Sequence, residues 1–309
     1  MTRILITGAG GMVGRALLNE LAGHDVIATD IAPFDLPEGM RFERMDVTSD
    51  DPARLIADLK PEVIVHLASI VTPPKGTGRD FAYQVDVTGT RNVLDAALAN
   101  GVRRLVVTSS GAAYGYHPDN PDWLTESDAI RGNVEFAYSD HKRQVEEMLA
   151  QARQDSAELE QVVLRVGTVL GAGTENQITA LFRKPRLLAI KGCESPFVFI
   201  WTTDLARILH RAATDGPAGI FNVAGDGAMG VTDLAGVLDK PILRLPAWSL
   251  KAALAIAHPL GLSQYGPEQV RFLQYRPVLA NDALKRDFGY TPEMTSAEVF
   301  DFWKTQAGL

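Results

Sequence analysis

Thr7-Gly8-Ala9-Gly10-Gly11-Met12-Val13-Gly14 lies between a short apolar run, Arg3 to Thr7, and a helically spaced apolar set, Met12, Val13, Ala16, Leu17 and Leu21. Two glycine phases compete in it. Gly-x-Gly-x-x-Gly starting at Gly8 needs a third glycine where Val13 stands, whereas Gly-x-x-Gly-x-x-Gly is met in full by Gly8, Gly11 and Gly14. Glycines at such positions permit positive φ, close backbone approach to a pyrophosphate and tight helix packing. The N-terminus of the following helix offers unpaired N–H groups to phosphate oxygens. The segment therefore reads as a strand–turn–helix cradle for a dinucleotide, with Gly8, Gly11, Met12, Val13 and Gly14 around the pyrophosphate. The next apolar run, Asp25 to Asp30, ends in a carboxylate. An acid there accepts hydrogen bonds from the adenosine ribose hydroxyls and repels a 2′-phosphate, so Asp30 favours NAD over NADP. The bland alternative is a turn with a capping Asp. Asp46-Val47, after the following run, reads equally as an adenine contact and as a turn signal.

Outward from this loop, strand-like and helix-like segments alternate. Arg41 to Asp46, Glu62 to Leu67, Arg104 to Ser109 and Val162 to Val166 read as strands. Pro52 to Leu59, Thr88 to Ala99 and Glu135 to Arg153 read as helices. Strands joined by helical crossovers pair in parallel, and apolar runs without strict alternation suit strands buried on both faces. The expectation is a doubly wound α/β fold over residues 1–170, followed by a smaller α+β, mainly substrate-binding portion over 171–309 whose chain crosses back. Gly171 to Pro196 is rich in Gly, Pro and basic residues, Ala206 to Ala213 reads as a helix and Gly219 to Val223 as a strand. Leu250 to Leu262 is the most apolar late segment, too short to span a bilayer. It reads as a helix packed on the substrate portion or on a partner subunit.

The chain has 309 residues, 46% hydrophobic and 22% charged, with a formal net charge of −8. Without a basic stretch there is no footprint for nucleic acid. The one cysteine, Cys193, cannot form an internal disulfide, which suits a reducing compartment. No secretory signal pattern opens the sequence, and the expected location is cytoplasmic. The six histidines, including His66, His117 and His141, lack ligand-like clustering, so no metal site is expected.

Tyr138 and Lys142 are four residues apart in Tyr138-Ser139-Asp140-His141-Lys142. On a helix that spacing places both on one face. An ammonium beside a phenol favours the phenolate. Such a phenol can take the proton of a substrate hydroxyl while hydride leaves the same carbon. Ser110 follows a buried strand, at the end where ligands bind in open parallel sheets, and its hydroxyl can hold the substrate oxygen. Alone, each of these residues is a common occurrence, and Ser109 and Ser110 equally suit turn formation or capping.

The ordered set TGAGGMVG (Thr7–Gly14), Asp30, DV (Asp46), HLAS (His66–Ser69), DVTGT (Asp86–Thr90), TSSGAAYG (Thr108–Gly115), YSDHK (Tyr138–Lys142), LRVGTVLG (Leu164–Gly171), TDLA (Thr203–Ala206) and FNVAG (Phe221–Gly225) resembles the extended short-chain dehydrogenase/reductase family, the NAD-dependent epimerase/dehydratase group. The resemblance implies a Rossmann domain, NAD as cofactor, Tyr138 as acid/base, Lys142 on the nicotinamide ribose, and Ser110 as the family's hydroxyl residue. It implies that Leu67, Ala68 and Ser69, with Thr108 and Val166, line the cofactor, and that the helices at Thr88–Ala99 and Glu135–Arg153 pair subunits in a homodimer. Asp86 stands where the family usually has asparagine, keeping the cofactor-side hydrogen bond as an acceptor only. Val166 to Thr168 departs from the family's proline- or asparagine-bearing segment.

The nearest likeness is to UDP-glucose 4-epimerase-like members. It implies Asn176 at the head of a substrate-binding helix, Leu188 to Gly192 as a uracil-binding strand, and Ala112 and Arg276 at the substrate. Phe197 stands where those epimerases carry a diphosphate-binding arginine, which is a principal holder of such groups. Phe197, Phe199 and Trp201 alternate as in a strand packed on a core. Arg183, Lys184, Arg186, Arg271 and Arg276 are candidate replacements for the missing charge, or solvated surface. Three functions stay open: a nucleotide-sugar epimerase with tightly held NAD, a dehydrogenase of a sugar, sugar acid or other small hydroxyl compound that releases NADH, and a non-catalytic cofactor-binding regulatory protein.

Overall fold

The computed structural model describes residues 2–71, 77–263 and 266–309. In chain order the first half comprises β1 (Arg3–Thr7), α1 (Met12–Glu20), β2 (Asp25–Asp30), β3 (Arg41–Arg44), α2 (Asp51–Leu59), β4 (Val63–His66), α3 (Arg79–Tyr83), a π-helical turn (Gln84–Thr88), α4 (Gly89–Ala99), β5 (Arg104–Ser110), a 3-10 turn (Gly111–Tyr114), α5 (Ala137–Asp155) and β6 (Glu160–Val166). The second half comprises β7 (Thr168–Leu170), α6 (Gln177–Phe182), β8 (Leu187–Ile190), β9 (Phe199–Trp201), α7 (Thr202–Ala213), β10 (Gly219–Val223), α8 (Val231–Leu238), β11 (Ile242–Leu245), α9 (Ala247–Ala257), α10 (Gln269–Gln274), α11 (Asp282–Arg286) and α12 (Ser296–Gln306).

Seven parallel strands form the main sheet in the order β10-β6-β5-β4-β1-β2-β3. Strand order reverses between β1 and β4, and the crevice beyond the carboxyl ends of those strands is where such sheets bind ligands. Both faces are covered. Ile4, Ile6, Val26, Val106 and Leu164 pack on one side with Leu17, Leu18, Leu205 and Leu209 of α1 and α7. Leu5, Ile64, Leu105 and Val163 pack on the other with Leu55, Val93, Leu94, Val145 and Leu149 of α2, α4 and α5. Each fully buried aliphatic side chain is worth roughly 1.5–3 kcal/mol relative to exposure. This double cover is the physical reason for the unalternating apolar strands.

The sheet recruits chain well beyond residue 170, because β10 pairs with β6 from Gly219↔Val162 to Val223↔Val166. Gly171 to Pro196, which shows no clear period in sequence, contains α6 and β8, and β8 pairs with β11 in a separate two-stranded sheet. A second core there gathers Phe182, Phe197, Phe199, Phe300 and Trp303. Helix α5 starts at Ala137 rather than Glu135, since Phe136 is an extended cap residue with φ −108° and ψ 100°. The helix leading into α4 starts earlier than Thr88, through α3 and the π-helical turn. The late apolar segment forms α9, which touches α10 and has no buried residue; Trp248 is 73% exposed and Ile256 65%.

Candidate active site

The glycine loop is held open by its own neighbours. Gly8 has φ +66°, and a Cβ there would meet Ala68 N at 2.7 Å and Leu67 C at 2.9 Å. A Cβ on Gly14 would lie 2.5 Å from Ala9 O. Gly11 caps α1 without a side-chain hydrogen bond, which leaves the first N–H groups of that helix free for phosphate oxygens. Asp30, at the end of β2, accepts from Gly10 N–H at 2.9 Å and from Ile31 N–H at 2.7 Å. A cradle that excludes a Cβ at Gly8 and Gly14, a helix N-terminus with unpaired N–H groups among the described residues and an acid one strand away fit a dinucleotide. Asp46 takes the turn role, its Oδ1 accepting from Thr48 N–H and Oγ1. Val47 packs on Gly89.

His66 ends β4 beneath this loop. Thr90 Oγ1 gives its proton to Asp86 O, 2.6 Å away, so at 2.9 Å it accepts from His66 Nε2–H. Thr7 Oγ1 then donates to His66 Nδ1 at 2.7 Å. The neutral ring thus pins the glycine loop to α4. Burial first, then the Lys142 charge, drive its pKa down to about 3, with Asp86 opposing. An unfolded chain binds a proton at histidine below about pH 6.5, and the folded chain does not. Stability is therefore expected to fall as pH drops below about 6.5, by about 2 kcal/mol at pH 5 from this residue alone. Denaturant titrations at pH 7 and pH 5 measure the loss, and His66→Gln, which cannot titrate, should show a smaller one.

Tyr138 opens α5, half-buried, and Lys142 follows it one turn on, 5% exposed. Lys142 Nζ lies 5.6 Å from the centre of the Tyr138 ring and donates to Thr108 O at 3.0 Å. That hydrogen bond ties α5 to the end of β5. Ser110, the last residue of β5, accepts from Ala112 N–H at 3.2 Å and caps the 3-10 turn. Ala112 O in turn accepts from Ser139 Oγ at 2.6 Å. Behind these groups Glu146 accepts three hydrogen bonds from Arg165, at 3.1, 2.9 and 2.7 Å, and one from Ser109. Arg165 also donates to Tyr114 Oη at 2.8 Å. This buried network fixes α5, β5 and β6 together, and a fully satisfied network of this kind rigidifies what it joins. Leu67, Ala68 and Val166 sit at the ends of β4 and β6. Ser69 donates to Asp86 Oδ1 at 2.8 Å.

The opposite wall comes from the second half. Phe197 is a core residue, 5% exposed, exchanging two backbone hydrogen bonds with Met229. Its ring carries the Arg276 guanidinium 3.8 Å from its centre, and Phe272 lies 5.1 Å from the same group. Arg276 Nε donates to Ser195 O at 2.8 Å. Among the described residues its two terminal nitrogens have no hydrogen-bond or ion-pair partner. Burial lowers its pKa to about 9, where it is still a cation at neutral pH. The other candidate cations behave as surface: Arg183 pairs with Glu175, Arg271 with Glu135, and Lys184 and Arg186 are exposed. Asn176 caps α6, its side-chain oxygen accepting from Ile178 and Thr179 N–H. Tyr116, which no sequence spacing singles out, is buried between Phe136 and Phe272, and its phenol lies within electrostatic reach of Tyr138 and Arg276.

Among the described residues there is no group of three or more His, Cys, Asp or Glu that could hold a metal ion, and no helix is long and apolar enough to cross a membrane.

An uncharacterized protein of Mycobacterium tuberculosis, Rv0501, is 26% identical over 99% of this chain and 84% of its own. The UDP-glucose 4-epimerase of Mycolicibacterium smegmatis is 35% identical over 38% of this chain and 42% of its own. The same fold occurs in MoeE5 solved with UDP-glucose and NAD, at a TM-score of 0.75 and 23% identity, covering 99% of this chain and 98% of that one. It also occurs in the UDP-glucose 4-epimerase of Thermotoga maritima solved with UDP-glucose, at a TM-score of 0.78 and 18% identity, covering 99% of both chains. The profile of the NAD dependent epimerase/dehydratase family matches residues 4–224, and the chain belongs to that family.

Proposed function

We propose that this chain acts on a hydroxyl-bearing carbon of a nucleotide-sugar by Tyr138-assisted hydride transfer, in the manner of a 4-epimerase. The observation that carries the substrate class is Arg276. A guanidinium whose two terminal nitrogens have no hydrogen-bond or ion-pair partner among the described residues, stacked on Phe197 and Phe272 and near Tyr138 through Tyr116, is a receptor for an anionic oxygen. The charge that a residue at Phe197 does not supply comes instead from an arginine lying on that ring. Neighbours solved with UDP-glucose and with UDP-glucuronic acid support a UDP-sugar. NAD, held by the Gly8–Gly14 loop and Asp30, supplies the hydride acceptor. Tyr138 takes the hydroxyl proton, Lys142 stabilises the phenolate, and Ser110 holds the reacting oxygen. Asn176, its carbonyl committed to the cap, offers its amide protons to the nucleotide. By family likeness α4 and α5 form the pairing face of a homodimer.

Purified protein is expected to carry NAD and to interconvert the 4-epimers of a UDP-hexose without accumulating NADH. Arg276→Met should raise KM for the UDP-sugar by roughly 10- to 100-fold with a small change in kcat, the signature of lost uniform binding. An unchanged KM removes Arg276 as the anion holder. Phe197 in place of an arginine favours a second reading, a net dehydrogenase of a sugar or sugar acid. Steady NADH release together with no detectable UDP binding selects that reading.

A further inference from the structure

Helix α9 (Ala247–Ala257) contains two polar residues, Ser249 and Lys251, and the rest are apolar. A helix apolar on every side is ordinarily a buried one. This one buries no residue within the chain. Trp248 and Ile256 stand exposed, and the turn after the helix, closed by Leu262 N–H on Ala257 O at 3.0 Å, adds exposed Leu260 and Leu262. The strand before it is exposed in the same way. One residue, Pro246, separates β11 from α9, and exposed Leu243 of β11 lies directly opposite exposed Leu188 of β8. Cross-strand partners share a face of a sheet, so Leu188 and Leu243 form one patch. Exposed apolar surface gathered over adjoining elements marks an interaction site.

The charges beside this surface are of one sign. Asn176 to Cys193 holds four Lys or Arg residues and Lys240 to Pro267 holds three, with no Asp or Glu in either segment, in a chain that has 38 acids and a net charge of −8. The two segments are distant in sequence, and the β8–β11 pairing, from Leu187↔Ile242 to Ile190↔Leu245, brings them together. Lys191, just after β8, donates its N–H to Leu245 O at 2.9 Å, where β11 gives way to α9. Arg183 and Arg244 are paired with Glu175 and Glu194 at the borders of the acid-free segments. Lys184, Arg186 and Lys251 are exposed and form no ion pair among the described residues. Together the two properties select the occupant. A second copy would cover one side of α9 and, in a symmetric contact, set these cations against their own kind. A nucleic acid would meet the cations and leave the apolar helix in water. Anionic lipid answers both, because acyl chains can surround an apolar helix, headgroups attract lysine and arginine, and tryptophan suits the boundary between them. At about 16 Å long, α9 is too short to cross a bilayer, so the contact is interfacial.

We propose that the face formed by β8, β11 and α9 docks on an anionic lipid bilayer, with Trp248, Ile256, Leu260 and Leu262 entering its interface and Lys184, Arg186 and Lys251 meeting the headgroups. Because α9 touches α10, whose Phe272 flanks Arg276, the docked face stands one helix away from the substrate wall. The test is flotation of the purified protein with unilamellar vesicles of phosphatidylcholine, alone or mixed equally with phosphatidylglycerol. The protein is expected to bind the mixed vesicles, to bind them less as salt is added, and to bind phosphatidylcholine alone weakly. The triple variant Lys184→Gln, Arg186→Gln, Lys251→Gln should bind roughly 10- to 100-fold more weakly, and the double variant Trp248→Glu, Ile256→Glu at least about tenfold more weakly. The substituted side chains are all exposed, so both variants should unfold at the wild-type temperature. Should the glutamate variant fail to fold, quenching by acyl-chain-brominated phosphatidylcholine in the mixed vesicles takes its place: wild-type tryptophan emission should be quenched, and that of Trp248→Phe much less. No binding to the mixed vesicles, binding unchanged in the triple variant, or quenching unchanged by Trp248→Phe overturns the proposal. Self-association of the free protein that the glutamate variant abolishes, with no vesicle binding, also overturns it and assigns the face to a second copy.

Discussion

Tyr138→Phe is expected to lower kcat by about 10²- to 10⁴-fold, the range lost when a positioned general acid/base is removed, or roughly 3–5 kcal/mol of transition-state stabilisation. The substitution removes one oxygen. Among the described residues the Tyr138 hydroxyl makes no hydrogen bond, and the ring is half-buried at the first turn of α5. Deleting it therefore leaves no buried partner unsatisfied, and thermal unfolding should be within a few degrees of the wild type. The Lys142 bond to Thr108 O persists, so NAD should bind within a factor of a few. The loss falls on the proton-transfer step, which needs a base within hydrogen-bond reach of the substrate hydroxyl. Single-turnover NAD reduction measures it free of product release. A variant that keeps wild-type turnover would remove Tyr138 from the chemistry and favour a purely cofactor-binding role.

The cofactor half of the site is legible in the sequence because its determinants are local. A strand, three glycines and a helix fall within eighteen residues of Arg3–Glu20, and each constraint acts on neighbours in the chain. Asp30 is one strand further, where the β1–β2 register brings Thr7 opposite Thr29. Tyr138 and Lys142 share a helix face for the same local reason. The substrate wall depends on contacts across the chain. Arg276 is one of five candidate cations in sequence, and nothing there singles it out, because no spacing announces a stack on Phe197, nearly eighty residues earlier. The alternation of Phe197, Phe199 and Trp201 signals a strand and a core correctly, but it does not show that one ring face is reserved for a guanidinium. Asp86 is visible as a departure from asparagine, yet its aim is decided by the π-helical turn, which directs the carboxylate to Ser69, Ile70 and His141. The apolar α9 segment has no buried residue within the chain, so of its two sequence readings the structure withholds the first, a helix buried on the substrate portion, and leaves the second, a helix packed on a partner subunit; apolar composition alone does not choose between them.

Gly8→Val is expected to reduce NAD affinity by at least about 100-fold and to destabilise the fold by roughly 3 kcal/mol, because two costs coincide. A positive φ is a genuine outlier for a β-branched residue, at about 1–2 kcal/mol. The new Cβ would also meet backbone, Ala68 N at 2.7 Å and Ala68 Cα at 2.8 Å, and backbone cannot swing away as a side-chain tip can. Ala68 follows β4 and donates to Thr7 Oγ1 at 3.4 Å, so relief of the clash must part β1 from β4 at the crevice where strand order reverses. Two controls separate the costs. Gly23 also has positive φ, +89°, with nothing within 4 Å of its Cβ position. Gly23→Ala should show backbone strain alone, about 1 kcal/mol, and full NAD affinity. Gly10 has no positive φ, and its Cβ would meet the Asp30 and Phe34 side chains at 3.0 Å. Those groups can give by a few tenths of an ångström, so Gly10→Ala should weaken NAD binding only mildly, by disturbing the Asp30 contact. Fluorescence titration with NAD and denaturant unfolding rank the three. If Gly8→Val and Gly23→Ala prove equally harmless to NAD, the pyrophosphate does not lie against this loop, and the phase built on Gly8, Gly11 and Gly14 falls with it.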